Sequence, residues 1–229
     1  MKANPALTTM RRAKFIGNQP VGDPRKANIW VVHTFDGRRV VLLKDLNFDH
    51  FFFTEGDPNV RSADYDPPLC DVEVDGQLFQ IKFDALVKFE NGSIHSRHVR
   101  QISLKEARLE ASRLMSACQA AARSLGATYE EVTAADLDSA HQRIMNWFRV
   151  LAASSRCRHR SLAVLEHVIM ARIDHAHEIT IAQLLHWLPE EQPALVLGAL
   201  ASVLRKRMVC SDLDTETWSM HSRLWRCEV

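Results

Sequence analysis

Strict alternation of apolar and polar positions marks the first half of the chain, and helical spacing marks the second. From Ile29 to Phe35 and from Arg38 to Lys44, two runs rich in β-branched residues flank Asp36-Gly37. That dipeptide tolerates positive φ, so the runs predict a hairpin with a two-residue turn. The same signal at Asp75-Gly76 and Asn91-Gly92 divides Val74 to Arg100 into a three-strand meander. Its middle strand sets Ile81, Phe83, Ala85, Val87 and Phe89 on one face and Lys82, Asp84, Leu86 and Lys88 on the other, the period of a strand with one buried side. Between hairpin and meander, Asp45 is placed to cap a short helix, LNFDHFFFTEG, that Gly56 ends. Val60 to Tyr65 and Cys70 to Val74 are expected to be extended, with Pro67-Pro68 turning the chain between them.

Helical spacing takes over at Leu104 to Leu125. Ser103 and Glu106 stand at capping-box positions, Leu104, Ala107, Ala111, Leu114, Cys118 and Leu125 form an apolar stripe, and Gly126 closes the helix. A short strand over Thr128 to Val132 and a turn from Thr133 to Asp136 lead into a helix over Asp138 to Ala153 that carries Ile144, Trp147, Phe148 and Leu151. The polar, basic stretch SSRCRHR, Ser154 to Arg160, lacks periodicity and marks a boundary. Beyond it lie a helix over Ser161 to Ile173, a short helix capped by Thr180 with Gln183, and a helix from about Pro193 to Arg207. Extended segments at Val209 to Ser211 and Trp218 to Leu224 complete a winged-helix pattern. The organisation expected is an irregular basic arm over 1–28, an α/β domain over 29–153, a linker over 154–160 and a winged-helix domain over 161–229.

Composition narrows the class without choosing a function. A hydrophobic fraction of 46% and a charged fraction of 25% over 229 residues are those of an ordinary globular protein. The net charge of +1 gives no global attraction to nucleic acid, so DNA contact would need positioned cations. Five cysteines without a CxxC pair argue against a disulfide framework and for free thiols. Cys157-x-His159 and His175-x-His177 fall short of a zinc ligand set, so no metal site is expected there. No apolar run has signal-peptide or bilayer length, which predicts a soluble, cytoplasmic protein without a membrane partner.

Asp84, a carboxylate on the polar face of a core strand, suits a divalent metal that promotes phosphodiester cleavage; the other role open to it is a solvated surface group between two lysines. Glu55-Gly56-Asp57-Pro58-Asn59-Val60, Phe83-Asp84-Ala85-Leu86-Val87 with Asn91-Gly92, Leu125-Gly126-Ala127-Thr128-Tyr129 through Val132-Thr133 with Met145-Asn146-Trp147, and Leu200 to Leu213 occur in that order. In this wording the chain resembles TnsA, the endonuclease subunit of heteromeric DNA transposases. The resemblance implies a restriction-endonuclease-like N-terminal domain, a winged-helix C-terminal domain, and as partners DNA, a DDE-type transposase subunit and an AAA-type ATPase regulator. Of the family's catalytic positions, Asp84 is retained. The helix glutamate falls on Asn47, and the later acidic-or-amide and lysine pair falls on His98 and Arg100.

Magnesium prefers hard oxygen ligands, and an amide, an imidazole and a guanidinium at three of these positions remove them. Asp45 and Asp49 do not replace a glutamate at 47, because residues two apart on a helix face nearly opposite sides. Glu55 and Glu90 remain as carboxylates that a shifted alignment would recruit. The leading expectation is a catalytically degenerate, cofactor-free subunit that binds DNA through Arg97, Arg100, Arg156, Arg158 and Arg160. The alternatives are a working magnesium-dependent endonuclease and a winged-helix transcription regulator. Against the regulator, Glu190, Glu191 and Gln192 stand at the start of the last long helix, where a reading helix meets phosphates.

Overall fold

The computed structural model describes residues 28–34, 36–104 and 110–227. The arm expected over 1–28 therefore lies outside the described residues except for Asn28. Strands β1 (Ile29–His33) and β2 (Arg39–Leu43) pair antiparallel, Ile29 opposite Leu43 and His33 opposite Arg39. One further step, Thr34 N–H to Arg38 O at 3.0 Å, sets 34 opposite 38, a register that differs from that of the expected two-residue turn, and Gly37 has φ 82°. Helix α1 (Asp45–Glu55) follows; it ends at the expected stop, Gly56, but Asp45 does not act as its cap. The Asp45 carboxylate accepts Asn28 Nδ2 and Trp30 Nε1, each at 2.9 Å, instead of capping the helix. Gly56 ends the helix at φ −85°, open to any residue. A glycine is needed there because a Cβ would come closer than 3.0 Å to Cγ, Cδ1 and Nε1 of the Trp147 indole.

The middle strand of the expected meander is broken in two. β3 (Val60–Asp64) joins β6 (Ala85–Phe89), β7 (Ile94–Arg100) and β8 (Thr128–Thr133) in a four-stranded sheet of order β3-β6-β7-β8, while β4 (Cys70–Val74) and β5 (Gln77–Ile81) form a separate hairpin. Its turn has Asp75 at φ 51° and Gly76 at 74°, the conformation that Asp-Gly favours. The break falls at Lys82 to Asp84. There Asp84 N–H donates to Arg97 O at 2.9 Å, and the Asp84 carboxylate accepts Val99 N–H at 2.9 Å. A side chain thus takes the place of a backbone acceptor and starts β6 in a new sheet. β6 and β7 are antiparallel; β7 and β8 are parallel, with α2 (Glu110–Ser124) between them in the chain. Helix α2 sets Ala117, Cys118, Ala121 and Ala122 against Cys70, Phe79, Ile81 and Phe83 in one buried cluster. Glu106 of the expected capping box and stripe position Ala107 lie outside the described residues, while Ser103 Oγ donates to Glu131 at 2.6 Å.

The helix expected over Asp138 to Ala153 is two helices, α3 (Ala134–Ser139) and α4 (His141–Arg156). Ser139 Oγ donates to Asp136 O at 2.7 Å and competes for a helix carbonyl just before the break. Then come α5 (Ala163–Ala176), β9 (Glu178–Thr180), α6 (Ile181–His186), α7 (Pro193–Arg205), β10 (Val209–Ser211) and β11 (Arg223–Arg226). The last three strands pair antiparallel in the order β10-β11-β9. Thr180 and Gln183 form the expected capping box: Gln183 N–H donates to Thr180 Oγ1 at 3.2 Å and Thr180 N–H to Gln183 Oε1 at 2.8 Å. Cys210 and Cys227 are joined by a disulfide, which corrects the expectation of five free thiols. They meet because β10 and β11 are neighbours, a proximity that 17 residues of sequence separation conceals.

Contacts divide the chain into two compact units, one built on Arg61–Ala134 and the other on Asn28–Val60 with Ala135–Val229. The division falls away from the 154–160 stretch expected to be a linker, because α4 continues to Arg156 and packs on α7. Helix α7 also packs on α5, and Val196, Gly198 to Ala201, Val203 and Leu204 are buried. Asn146, fully buried on α4, donates Nδ2 to Leu213 O at 2.6 Å and Glu216 O at 2.7 Å and accepts Trp218 N–H at 2.8 Å. Gly56→Ala should lower the stability of this second unit by about 1–3 kcal/mol, the cost of overpacking against Trp147. A urea unfolding midpoint unchanged from wild type would contradict that contact.

Candidate functional site

Parallel pairing of β7 with β8 places Arg97 beside Glu130 and His98 beside Glu131. Because successive side chains point to opposite faces, the two acidic residues serve different faces of the sheet. On one face, Arg97 Nε donates to Glu130 Oε2 at 2.7 Å and His95 Nδ1 lies 2.9 Å from the same oxygen. The guanidinium also stands 5.4 Å over the Phe89 ring. Burial alone would raise the Glu130 carboxyl, but the hydrogen bonds and charge of Arg97, with help from His95, hold it below its ordinary range.

The other face carries His98, Arg100 and Glu131. His98 is fully enclosed, and its Nε2 donates to Lys82 O at 2.9 Å. Nδ1 is thereby left as an acceptor, with Arg100 Nη2 at 3.3 Å and Cys118 Sγ at 3.7 Å. Glu131 Oε1 lies 3.3 Å from Arg100 Nε, and the same carboxylate accepts Ser103 Oγ at 2.6 Å, Tyr129 Oη at 3.0 Å and the N–H of Leu104. Burial, seconded by the charge of Arg100 and opposed by that of Asp84, holds His98 below the ordinary histidine value. Burial also pushes the Cys118 thiol and the Tyr129 hydroxyl up, so neither is a nucleophile or a base at neutral pH.

Asp84, His98 and Arg100 therefore come together in the Arg61–Ala134 unit, whereas Asn47, on α1, belongs to the other. The three do not fit a magnesium site. One Asp84 oxygen holds a backbone N–H, the imidazole is turned to a carbonyl, and a guanidinium occupies the remaining position. Among the described residues no group of three His, Cys, Asp or Glu is placed to hold a metal ion. Glu55 is buried, 4.0 Å from Arg205, and Glu90 is exposed at the turn before β7. No family model matches this chain, and no curated protein aligns with it.

The expected DNA-contacting residues split into two groups. Arg97 and Arg100 are 3% and 6% exposed and committed to Glu130 and Glu131, so the expectation that they lie open to phosphates is corrected. A strand that carries one arginine on each buried face needs an acceptor for each, and adjacent Glu130 and Glu131 supply them. Alternation alone hid this; the signal was the Glu-Glu pair inside a β-branched strand, one carboxylate for each face. Arg156, Arg158 and Arg160 are exposed at the end of α4, Arg158 donating to Ser155 O at 3.3 Å and to His159 Nε2 at 3.1 Å. Near them a cavity of about 150 Å³ is lined by Arg158, Ser154, Ser155, Leu151 and the tip of the first hairpin. Among the described residues no helix is long and apolar enough to cross a membrane.

A histidine whose folded value is depressed contributes stability above its unfolded value of about 6.5 and loses it as pH falls toward the folded value. Wild-type protein should therefore show a falling urea midpoint from pH 7.5 to 5.5. His98→Gln, which keeps a donor for Lys82 O but does not titrate, should have a lower midpoint throughout and a flatter dependence over that window. Parallel curves for the two proteins would show that His98 does not govern it.

Proposed function

We propose that this chain is a TnsA-like transposition subunit that no longer cleaves DNA and acts by binding DNA and partner proteins. The observation that carries the reading is the state of β7: His98 and Arg100, at the positions where the family keeps its acidic-or-amide and lysine pair, are buried and bonded inward, while Asp84 is engaged by the backbone. Support for the restriction-endonuclease-like part comes from the sheet order β3-β6-β7-β8, with a helix between its antiparallel and parallel members. Support for the winged-helix part comes from the order helix, strand, two helices and hairpin, with β11 between β10 and β9. Its partners in this reading are DNA, a DDE-type transposase subunit and an AAA-type ATPase regulator, in the cytoplasm.

The same packing disfavours a regulator that reads DNA with its last long helix. Helix α7 packs on α4 and α5 and is buried over most of Val196 to Leu204, which leaves little of it for a major groove. Phosphate contact falls instead to Arg156, Arg158 and Arg160, whose heads are exposed. Such contact gives affinity without base readout and weakens steeply with salt.

Purified protein should not nick supercoiled or transposon-end DNA with magnesium or manganese, alone or with a transposase and an ATPase supplied. Asp84→Ala should match it in that assay while being less stable. Metal-dependent nicking that disappears in Asp84→Ala would overturn the reading.

Replacing Arg156, Arg158 and Arg160 together by glutamate should weaken binding to all duplex sequences alike and flatten its salt dependence, since each lost phosphate contact takes roughly one unit from the log–log slope. Unaltered affinity in a filter-binding titration would remove these residues from the interface.

A further inference from the structure

One exposed aromatic surface has no part in the DNA contacts above. On α1, Asp45, Phe48, Asp49 and Phe52 fall at helical spacing on one face; on α4, His141, Met145 and Phe148 do the same. The two faces adjoin: Phe148 lies 6.0 Å from Phe48 and 5.4 Å from Phe52, centroid to centroid. Trp30 covers the other side of Phe48 at 4.2 Å, and its indole N–H is tied to Asp45. Phe148 is 42% exposed, Met145 37% and Trp30 36%, which leaves an apolar shelf open to solvent within one compact unit.

Carboxylates rim the shelf. Asp45 and Asp49 stand one turn apart on α1, and Asp138 precedes α4. Desolvation and the charges of Asp45 and Asp138 push the Asp49 carboxyl above its ordinary value, while His141 offsets only part of this. Asp45, exposed and held below its ordinary value by hydrogen bonds from Asn28 and Trp30, stays charged beside Asp49 at the edge of the exposed aromatic surface. An acidic edge of this kind favours a cationic partner.

We infer that this shelf is the docking site for a cationic amphipathic helix of a partner protein, whose apolar side covers Trp30, Met145 and Phe148 and whose lysines or arginines meet Asp45, Asp49 and Asp138. Aromatic residues and methionine are the side chains that anchor interfaces, and the acidic rim selects the sign of the partner's charge. Lysine and arginine also gain from the faces of exposed Trp30 and Phe148. A few anchors are too little for a stable dimer, which needs roughly 20–30 residues a side, but they suit a single helix laid across the shelf. The site needs neither DNA nor cleavage, so its failure would leave the proposed function standing.

The probe is a fluorescein-labelled leucine–lysine peptide with its leucines in helical spacing, titrated with the full chain and followed by anisotropy. Saturable binding of one peptide per chain is expected. Phe148→Ser and the charge variant Asp49→Asn, both checked for unchanged unfolding midpoints, should each weaken it roughly fivefold or more, and a leucine–glutamate peptide of the same spacing should not bind. Asp49→Asn lies at the surface and keeps its shape, so it remains informative if Phe148→Ser fails to fold. The proposal is overturned if no peptide binds, if the glutamate peptide binds equally, or if neither variant weakens binding. It is also overturned if sedimentation shows a dimer that Phe148→Ser dissociates, since the occupant would then be a second copy of the chain.

Discussion

Two arginines placed on opposite faces of one buried strand impose the constraint on which the Arg61–Ala134 unit depends. Removing a guanidinium from water costs several kcal/mol unless a carboxylate meets it with good geometry. β8 supplies Glu130 to Arg97 and Glu131 to Arg100, and only one parallel register does so for both. A slip of one residue would send each carboxylate to the wrong face and strand four charges. The pairs therefore specify alignment more than they add stability. With register set, Val99 N–H meets Asp84, Lys82 O meets His98, and the former continuous strand must break between them.

That internal satisfaction is also the chemical reason for reading the site as silent. A metal site needs acceptors aimed at a common open point, whereas here the Asp84, His98 and Glu131 side chains are turned to neighbours in the fold. The second unit shows the same economy. Asn146 spends its amide on three backbone groups of the loop from Leu213 to Trp218. Its function is to hold the C-terminal segment on α4. Exposed arginines and an aromatic shelf with an acidic edge remain as the surfaces free to meet something else.

Local signals in the sequence were legible where one residue type answers one backbone need. Asp75-Gly76 gave its hairpin, and Thr180 with Gln183 gave a complete capping box. Signals that depend on a distant partner misled. Gly56 is the helix stop, but the residue type is required by Trp147 rather than by the backbone, and Asp45 looked like a cap but serves Asn28 and Trp30. Alternation through Lys82 to Asp84 was sound on both sides of the break, but period alone cannot show that a side chain has replaced a ladder acceptor. For the site, Asp84, His98 and Arg100 fall in one unit and Asn47 in the other, and the inward pairing of Arg97 and Arg100 required knowing which strand lies beside β7. The Cys210–Cys227 bridge was invisible for the same reason.

The discontinuity of the second unit has a consequence for how the chain comes into being. Its first hairpin and α1 leave the ribosome long before α4, the helix on which α1 packs, and the whole of Arg61–Ala134 is made in the interval. Phe51 and Phe52, both buried in the finished protein, must wait through that interval without their cover. The inserted unit has its last strand made by Ala134 and is free to fold before α4 is synthesised. Nascent chains in this state expose aromatic surface to whatever is near, so chaperone demand should peak midway through synthesis and fall once Arg156 has emerged.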